Sequence, residues 1–227
     1  MQEIIAHRGA SAYAPEHTLA AYDLAIDQGA DVLELDIRAT ADGELVVVHD
    51  PTLLRTAGDP RRVAELRGAD VPALTLDGVL ARYATRARFL LDVKEPSPEW
   101  EGRLLVAVGR AGLQRRVVVQ SFDHAALRRL HDAGPWLELA ALFPTDPPPD
   151  LAGVATFAAG IGPWHEAVDA ALVARARARG LAIRPWTVNG PADIDRLLAL
   201  GVDGVITDVP DVAAAARSAL VAAPLAA

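Results

Sequence analysis

The chain has 227 residues, 52% of them hydrophobic and 23% charged, with a formal net charge of −8 and no cysteine. This excludes disorder by composition, disulfides and cysteine-bound zinc. It also argues against nucleic acid as a partner, because neutralising a phosphate backbone needs basic stripes. Length and apolar content fit one domain over residues 1–227 with a full core. Met1-Gln2-Glu3 carries no positive n-region, and His7-Arg8 interrupts Ile4-Ile5-Ala6, so no signal peptide is read there. No apolar run is long enough for a membrane span. The expectation is a cytoplasmic protein without a membrane span, whose oligomeric state the sequence does not specify.

A strand over 3–8 opens the chain and ends in His7-Arg8. A helix over 18–28 follows, then a strand over 32–38 that carries Glu34 and Asp36. The run Glu44–His49 is extended but too near for a parallel crossover, and Asp42-Gly43 is a hairpin signal. Residues 32–50 are therefore predicted as an antiparallel hairpin. A two-residue Asp42-Gly43 turn sets Asp36 opposite His49, with Glu34 on the same face. Residues 51–74 form a loop long enough to be functional. Helices at 76–86, 99–111 and 123–133 alternate with strands at 88–94, 116–121 and 138–143. The prolines of 144–149 forbid a helix there, so the fifth crossover is short or extended. Strands at 156–162, 182–187 and 203–207 alternate with helices at 165–179, 191–200 and 210–221. Eight strands with intervening helices predict an α/β fold, a single (β/α)8 TIM-type barrel with an added antiparallel hairpin after strand two.

In such barrels the chemistry lies at the C-terminal ends of the strands. Those ends hold His7-Arg8, Glu34 and Asp36, His49-Asp50, Asp92–Glu95, Gln120-Ser121, Trp186–Asn189 and Thr207-Asp208. Glu34, Asp36 and Asp92 make an all-oxygen set suited to one divalent cation, Mg2+ or Ca2+. The alternative is that these acids pair with Arg8, Arg38 or Lys94 and hold no metal. His7 and His49 suit general acid–base catalysis, since imidazole titrates near neutral pH. Arg8 and Lys94 can hold a phosphate beside the metal. Lys94 is the sole lysine among 22 cationic residues, which marks a place where a compact ammonium is wanted. His17 either caps the following helix or reaches the site. His124, His131 and His165 lie away from any acidic cluster and read as surface residues.

The residues His7-Arg8-Gly9, Pro15-Glu16-His17-Thr18, Glu34-Leu35-Asp36, His49-Asp50, Leu91-Asp92-Val93-Lys94, Ser121-Phe122-Asp123, Trp186–Asn189 and Asp203–Asp208 resemble the glycerophosphodiester phosphodiesterase family. The resemblance runs in order from residue 5 to about 210. It implies metal-dependent hydrolysis of a small-molecule glycerophosphodiester to an alcohol and sn-glycerol 3-phosphate. It also implies that the glycerol hydroxyl attacks phosphorus through a cyclic intermediate. By the same resemblance, His7 and His49 are acid and base, and Arg8 and Lys94 touch phosphate. Glu34, Asp36 and Asp92 bind metal, and Trp186 lines the substrate pocket. Three departures stand out. His17 replaces the family's usual Asn, Asp92 replaces its usual Glu, and the 51–74 loop is shorter than its usual insertion.

Competing readings are a lysophospholipase D-type activity on lipid-bearing diesters and a metal-dependent barrel lyase or isomerase. The first needs an apolar groove from Trp164, Trp186 and the 144–149 loop. The second makes Lys94 a base or Schiff-base residue but leaves the histidine pair unexplained. A binding module without catalysis is the last alternative, although no acid, imidazole or cation of the set is missing.

Overall fold

Side chains that alternate in two-residue steps build the strands, and the same steps order the inside of the molecule from one end to the other. The computed structural model describes residues 1–145 and 150–222. Its elements are, in chain order, β1 (Glu3–Ala6), α1 (Leu19–Asp27), β2 (Val32–Ala39), β3 (Leu45–Val47), β4 (Thr52–Leu53), α2 (Leu54–Ala57), β5 (Asp59–Arg62), α3 (Leu76–Tyr83), β6 (Arg88–Val93), α4 (Pro98–Arg110), β7 (Val117–Ser121), α5 (His124–Ala133), β8 (Glu138–Phe143), α6 (Ala152–Ala155), β9 (Gly160–Pro163), α7 (Ala170–Arg177), β10 (Ala182–Ile183), α8 (Pro191–Leu200), β11 (Gly204–Thr207) and α9 (Pro210–Ala222). Among the described residues, eight parallel strands run in the order β10-β9-β8-β7-β6-β2-β1-β11. The ring closes through single hydrogen bonds: Asp203 N to Ile183 O (2.9 Å), Ile206 N to Pro185 O (3.0 Å) and Val188 N to Ile206 O (2.8 Å). Pro185 has no N–H to give, which helps to keep this seam from becoming a full ladder. The expected barrel with its hairpin after the second strand is what forms.

Side-chain oxygens start four of the helices. Thr18, Thr75, Asp123 and Asp169 each accept from amides in the first turn of α1, α3, α5 and α7. Outward-facing Leu33, Leu35, Ile37, Phe89, Leu91 and Val93 pack against the helices in the main core. The inward face is stacked in layers. Glu3, Arg88, Glu138 and Arg184 pair across the foot. Two residues further along, Ile5, Val32, Leu90, Val118, Ala140 and Ile206 form a dry layer. Two residues further again the chain presents His7, Glu34, Asp92 and Gln120, so the mouth is polar because the step is two.

The hairpin differs from expectation in its register. Ala39 lies opposite Leu45 and Ile37 opposite Val47, so Asp36 faces Val48 and not His49. The turn uses three residues. Gly43 N bonds Thr40 O (2.9 Å), Gly43 takes φ +78°, and Thr40 N bonds Glu44 O (3.0 Å). This is a type I turn followed by a left-handed glycine, and one added residue shifts every partner by one. The 51–74 segment folds as a second small hairpin, β4 against β5. It shares its own core, Leu53, Val63, Leu66 and Val71, with Val46 and Val48. The helix predicted over 165–179 is shorter, because Asp169 caps it at Ala170. Residues 146–149 of the proline-rich loop lie outside the described residues, and α6 supplies a short crossover just after them.

Candidate active site

β2 and β6 bring the three acids together. Asp36 and Asp92 are register partners, and Glu34 is one inward step below Asp36. All three are buried, and one oxygen of each lies within 4.8 Å of the others. Lys94 donates to Asp92 Oδ2 (2.6 Å) and stands 3.0 Å from Asp36 Oδ1. Arg8 approaches Asp36 Oδ2 through Nε (3.1 Å), and its backbone amide donates to Glu34 (2.9 Å). Arg8 holds φ +58°, an uncommon angle for a side chain of its size.

Three carboxylates face two full cations here, and burial makes the excess costly. Burial, reinforced by Asp36 and Asp92, drives the Glu34 carboxyl well above its usual range. Burial likewise pushes Asp92 up to about 7 against the pull of Lys94. Burial also opposes ionisation of Asp36, but the hydrogen bond from His17 and the charges of Lys94 and Arg8 outweigh it and keep Asp36 ionised. Asp92 Oδ1 and the neighbouring Gln120 Oε1 are buried without a hydrogen-bond partner. An all-oxygen donor set with excess negative charge and unpartnered oxygens fits a hard divalent cation.

His7 and His49 line the same cavity as the acids, with Arg8, Lys94, Phe122, Leu142 and Trp186. Its volume is about 120 Å³, room for a handful of waters. Each imidazole is gripped at Nδ1 by a carboxylate. His7 meets Asp208 Oδ1 (2.7 Å), and Asp208 also accepts from Ser11 (2.8 Å) and Asn189 Nδ2 (2.6 Å). His49 meets Asp50 Oδ1 (2.7 Å). In both, a bond at Nδ1 leaves Nε2 as the nitrogen available for proton transfer. Burial lowers the His49 pKa, so this imidazole is neutral at neutral pH. Burial would raise Asp208, but the bonds from His7, Ser11 and Asn189 hold it down to about 2.

On the cavity's other wall, Phe122 meets Trp186 edge-to-face at 5.4 Å, and Lys94 Nζ sits 5.9 Å from the Phe122 ring centroid. The Trp186 indole donates to Gly162 O (2.8 Å). A side chain at Gly162 would collide with Leu142, so glycine keeps this wall open.

All eight residues singled out from the sequence, His7, Arg8, Glu34, Asp36, His49, Asp92, Lys94 and Trp186, line this one cavity. The slipped register does not remove His49, because the chain leaves the ladder after Val47. His17 reaches the site and does not cap the helix, a role that Thr18 takes. It is buried, with Nε2 2.9 Å from Asp36 Oδ2 and Nδ1 2.8 Å from the Tyr22 hydroxyl. His124 is not a free surface residue; its Nε2 bonds Leu142 O (2.9 Å) and its ring packs on Phe143. Asp50, Asp208 and Gln120 are polar strand-end residues whose roles the sequence pattern does not specify.

The sequence matches the model of the glycerophosphoryl diester phosphodiesterase family over residues 7–95 and 93–212. The chain belongs to that family. It is accordingly an enzyme, a phosphoric diester hydrolase. A glycerophosphodiester phosphodiesterase of Bacillus subtilis strain 168 is 33% identical, covering 91% of this chain and 83% of the relative. One from Bacillus altitudinis is also 33% identical, over 93% of this chain and 96% of the relative. The crystal structure of a glycerophosphodiester phosphodiesterase from Agrobacterium tumefaciens strain C58 superposes with a TM-score of 0.84 at 28% identity, covering 95% of this chain and all of that one. Both segments matched by the phosphodiesterase family model contribute to the cavity, the first supplying the acids and histidines and the second Phe122 and Trp186. Among the described residues no helix is long and apolar enough to cross a membrane.

Proposed function

We propose that this chain, folded as one barrel domain over residues 1–227, hydrolyses a small glycerophosphodiester to an alcohol and sn-glycerol 3-phosphate. The observation that carries this reading is the charge of the cavity. Once Glu34 and Asp92 lose their protons on binding a cation, the three carboxylates against Arg8 and Lys94 leave one negative charge. One divalent cation, Mg2+ or Ca2+, would turn that into one positive charge. A phosphodiester, with its single negative charge, is the ligand that then brings the site to neutrality.

Glu34, Asp36 and Asp92 would hold the cation, which supplies Lewis-acid polarisation of the phosphoryl oxygens when bound. Arg8 and Lys94 hold the remaining phosphate oxygens and offset charge that builds in the transition state. His49, neutral at the outset, is suited to take the proton from the attacking glycerol hydroxyl while His7 protonates the leaving alcohol. A water then opens the resulting cyclic phosphate, with the two imidazoles in exchanged roles, to give sn-glycerol 3-phosphate. Asp50 and Asp208 keep the two rings in the tautomer that this needs. Trp186 and Phe122 offer an apolar wall to the glycerol carbons.

The test is release of glycerol 3-phosphate from a panel of glycerophosphodiesters with Mg2+, Ca2+ or EDTA. Turnover that EDTA abolishes and a divalent cation restores is the expected result. Equal turnover in EDTA would remove the cation from the reading. A panel turned over only as lysophospholipids would replace it with the lysophospholipase D-type alternative.

A further inference from the structure

His49 stands two residues past the end of β3, and the last backbone bond of that ladder is Val48 N to Asp36 O (2.9 Å). The sheet therefore does not fix it, and side chains do so in two ways. Arg38 grips its carbonyl oxygen through Nε (2.9 Å) and Nη2 (2.7 Å). Asp50 grips its imidazole, and Asp50 is itself gripped from the 51–74 insertion, where Arg55 Nε donates to Asp50 Oδ2 (2.7 Å). The other two guanidinium nitrogens of Arg55 go to the two oxygens of Glu16, both at 2.7 Å. Glu16 belongs to the loop after β1 and also lies 3.4 Å from Arg8 Nη1. The insertion is fastened a second time, through Arg62 to Glu95 (2.9 Å) and Glu95 to Arg38 (2.7 Å), the arginine on the His49 carbonyl.

Arg55 does not line the catalytic cavity, and its side chain is 49% exposed. Exposed ion pairs add little stability, a median of roughly 0–1 kcal/mol, so stability alone gives weak reason for such a fully engaged guanidinium. A rigid planar fork bonded on three sides instead gives direction. We propose that Arg55 and Glu16 are positioning residues for His49, so that the short insertion acts on the reaction by aiming this imidazole into the cavity. The proposal rests on the acid–base reading of His49 given above. It makes the insertion part of the catalytic apparatus without contact to substrate.

The experiment compares Arg55→Ala with Arg61→Ala in the full chain. Arg61 is the control: it sits on the same insertion, is itself exposed, and pairs with half-buried Asp59, which touches no site residue among the described hydrogen bonds. The first readout is kcat against KM for glycerophosphocholine. Arg55→Ala is expected to lower kcat about tenfold, less than the roughly hundredfold cost of misplacing a reacting group by an ångström, with KM changed by less than about twofold. Arg61→Ala leaves both unchanged. The second readout is NMR of the 15N-histidine-labelled chain, with the His49 signal identified by its loss in His49→Ala. Its carboxylate-bound Nδ1 proton is expected to shift or broaden away in Arg55→Ala and to persist in Arg61→Ala. Should Arg55→Ala not fold, Glu16→Gln tests the same link from its other end and is expected to lower kcat by about threefold. An unmoved His49 signal, a kcat within about twofold of the parent, or an equal loss in Arg61→Ala would overturn the proposal. The NMR arm needs no turnover. A wild-type chain inert on every diester whose His49 signal still depends on Arg55 upholds the link and overturns the functional reading instead.

Discussion

The two ends of the barrel both bury charge, and they do it differently. At the foot, Arg184 joins Glu3 and Glu138 (3.0 Å each) and Arg88 joins the same two acids, so two cations meet two anions. At the mouth, three acids meet two cations, and Asp92 keeps an oxygen without a partner. Burial of charge by itself therefore does not mark a site. The foot's charges cancel even though Arg184 Nη1 is buried without a hydrogen-bond partner, while the mouth's acids outnumber its cations and can take up a cation.

The largest effect that would break this contrast is on turnover. Removing His49 or His7 as Ala should cost about 10²–10⁴-fold in kcat with little change in the thermal melt, since both sit at the rim and not in the core. Retained activity in either variant would strip it of an acid–base role. Next comes Glu3→Gln at the foot, which leaves Arg88 and Arg184 short of an anion. It should cost about 2 kcal/mol in denaturant unfolding while leaving kcat alone. The matching change at the mouth, Glu34→Gln, should alter the stability of the metal-free protein by less than about 1 kcal/mol, because burial already favours the neutral carboxyl there, and should raise the cation concentration needed for activity. If Glu34→Gln destabilises as Glu3→Gln does, the contrast between the two ends is lost.

The smallest effect concerns pH. Asp208 is held down to about 2 in the folded chain, below its unfolded value near 3.8. A depressed carboxyl contributes stability above the unfolded value and loses it as pH falls through the folded one. Between about pH 4 and pH 2 the wild type should therefore lose stability more steeply than Asp208→Asn, as measured by urea unfolding at stepped pH. Equal slopes would show that the His7–Asp208 bond contributes nothing to the fold.

Much of this was legible in the sequence, for identifiable reasons. The alternation of β2 dictates that Glu34 and Asp36 share a face, and barrel topology dictates that strand ends meet, which gathers the acids, His7, Arg8 and Lys94. The pocket role of Trp186 comes from the family resemblance, and His49 reaches the cavity despite a register one residue off. The hairpin register did not follow, because Asp42-Gly43 serves equally well in a two-residue or a three-residue loop, and only the backbone angle of Gly43 decides between them. The partner of His7 was hidden by distance along the chain, since Asp208 lies 201 residues away. Arg55 and Glu16 were hidden by type. An arginine in a polar loop reads as a solvated charge until its two carboxylate partners are seen.

The thinly bonded seam between β10 and β11 has a consequence of its own. A ring with one weak join behaves as a curled sheet that is fastened along a single edge. Subglobal opening should begin where the fewest backbone bonds must break, so the amides of Val188, Asp203 and Ile206, which bond across the seam, exchange with solvent ahead of those in β2, β6 and β7. Trp186 stands on that seam. The wall that meets the incoming molecule is then the most compliant part of an otherwise stiff cylinder.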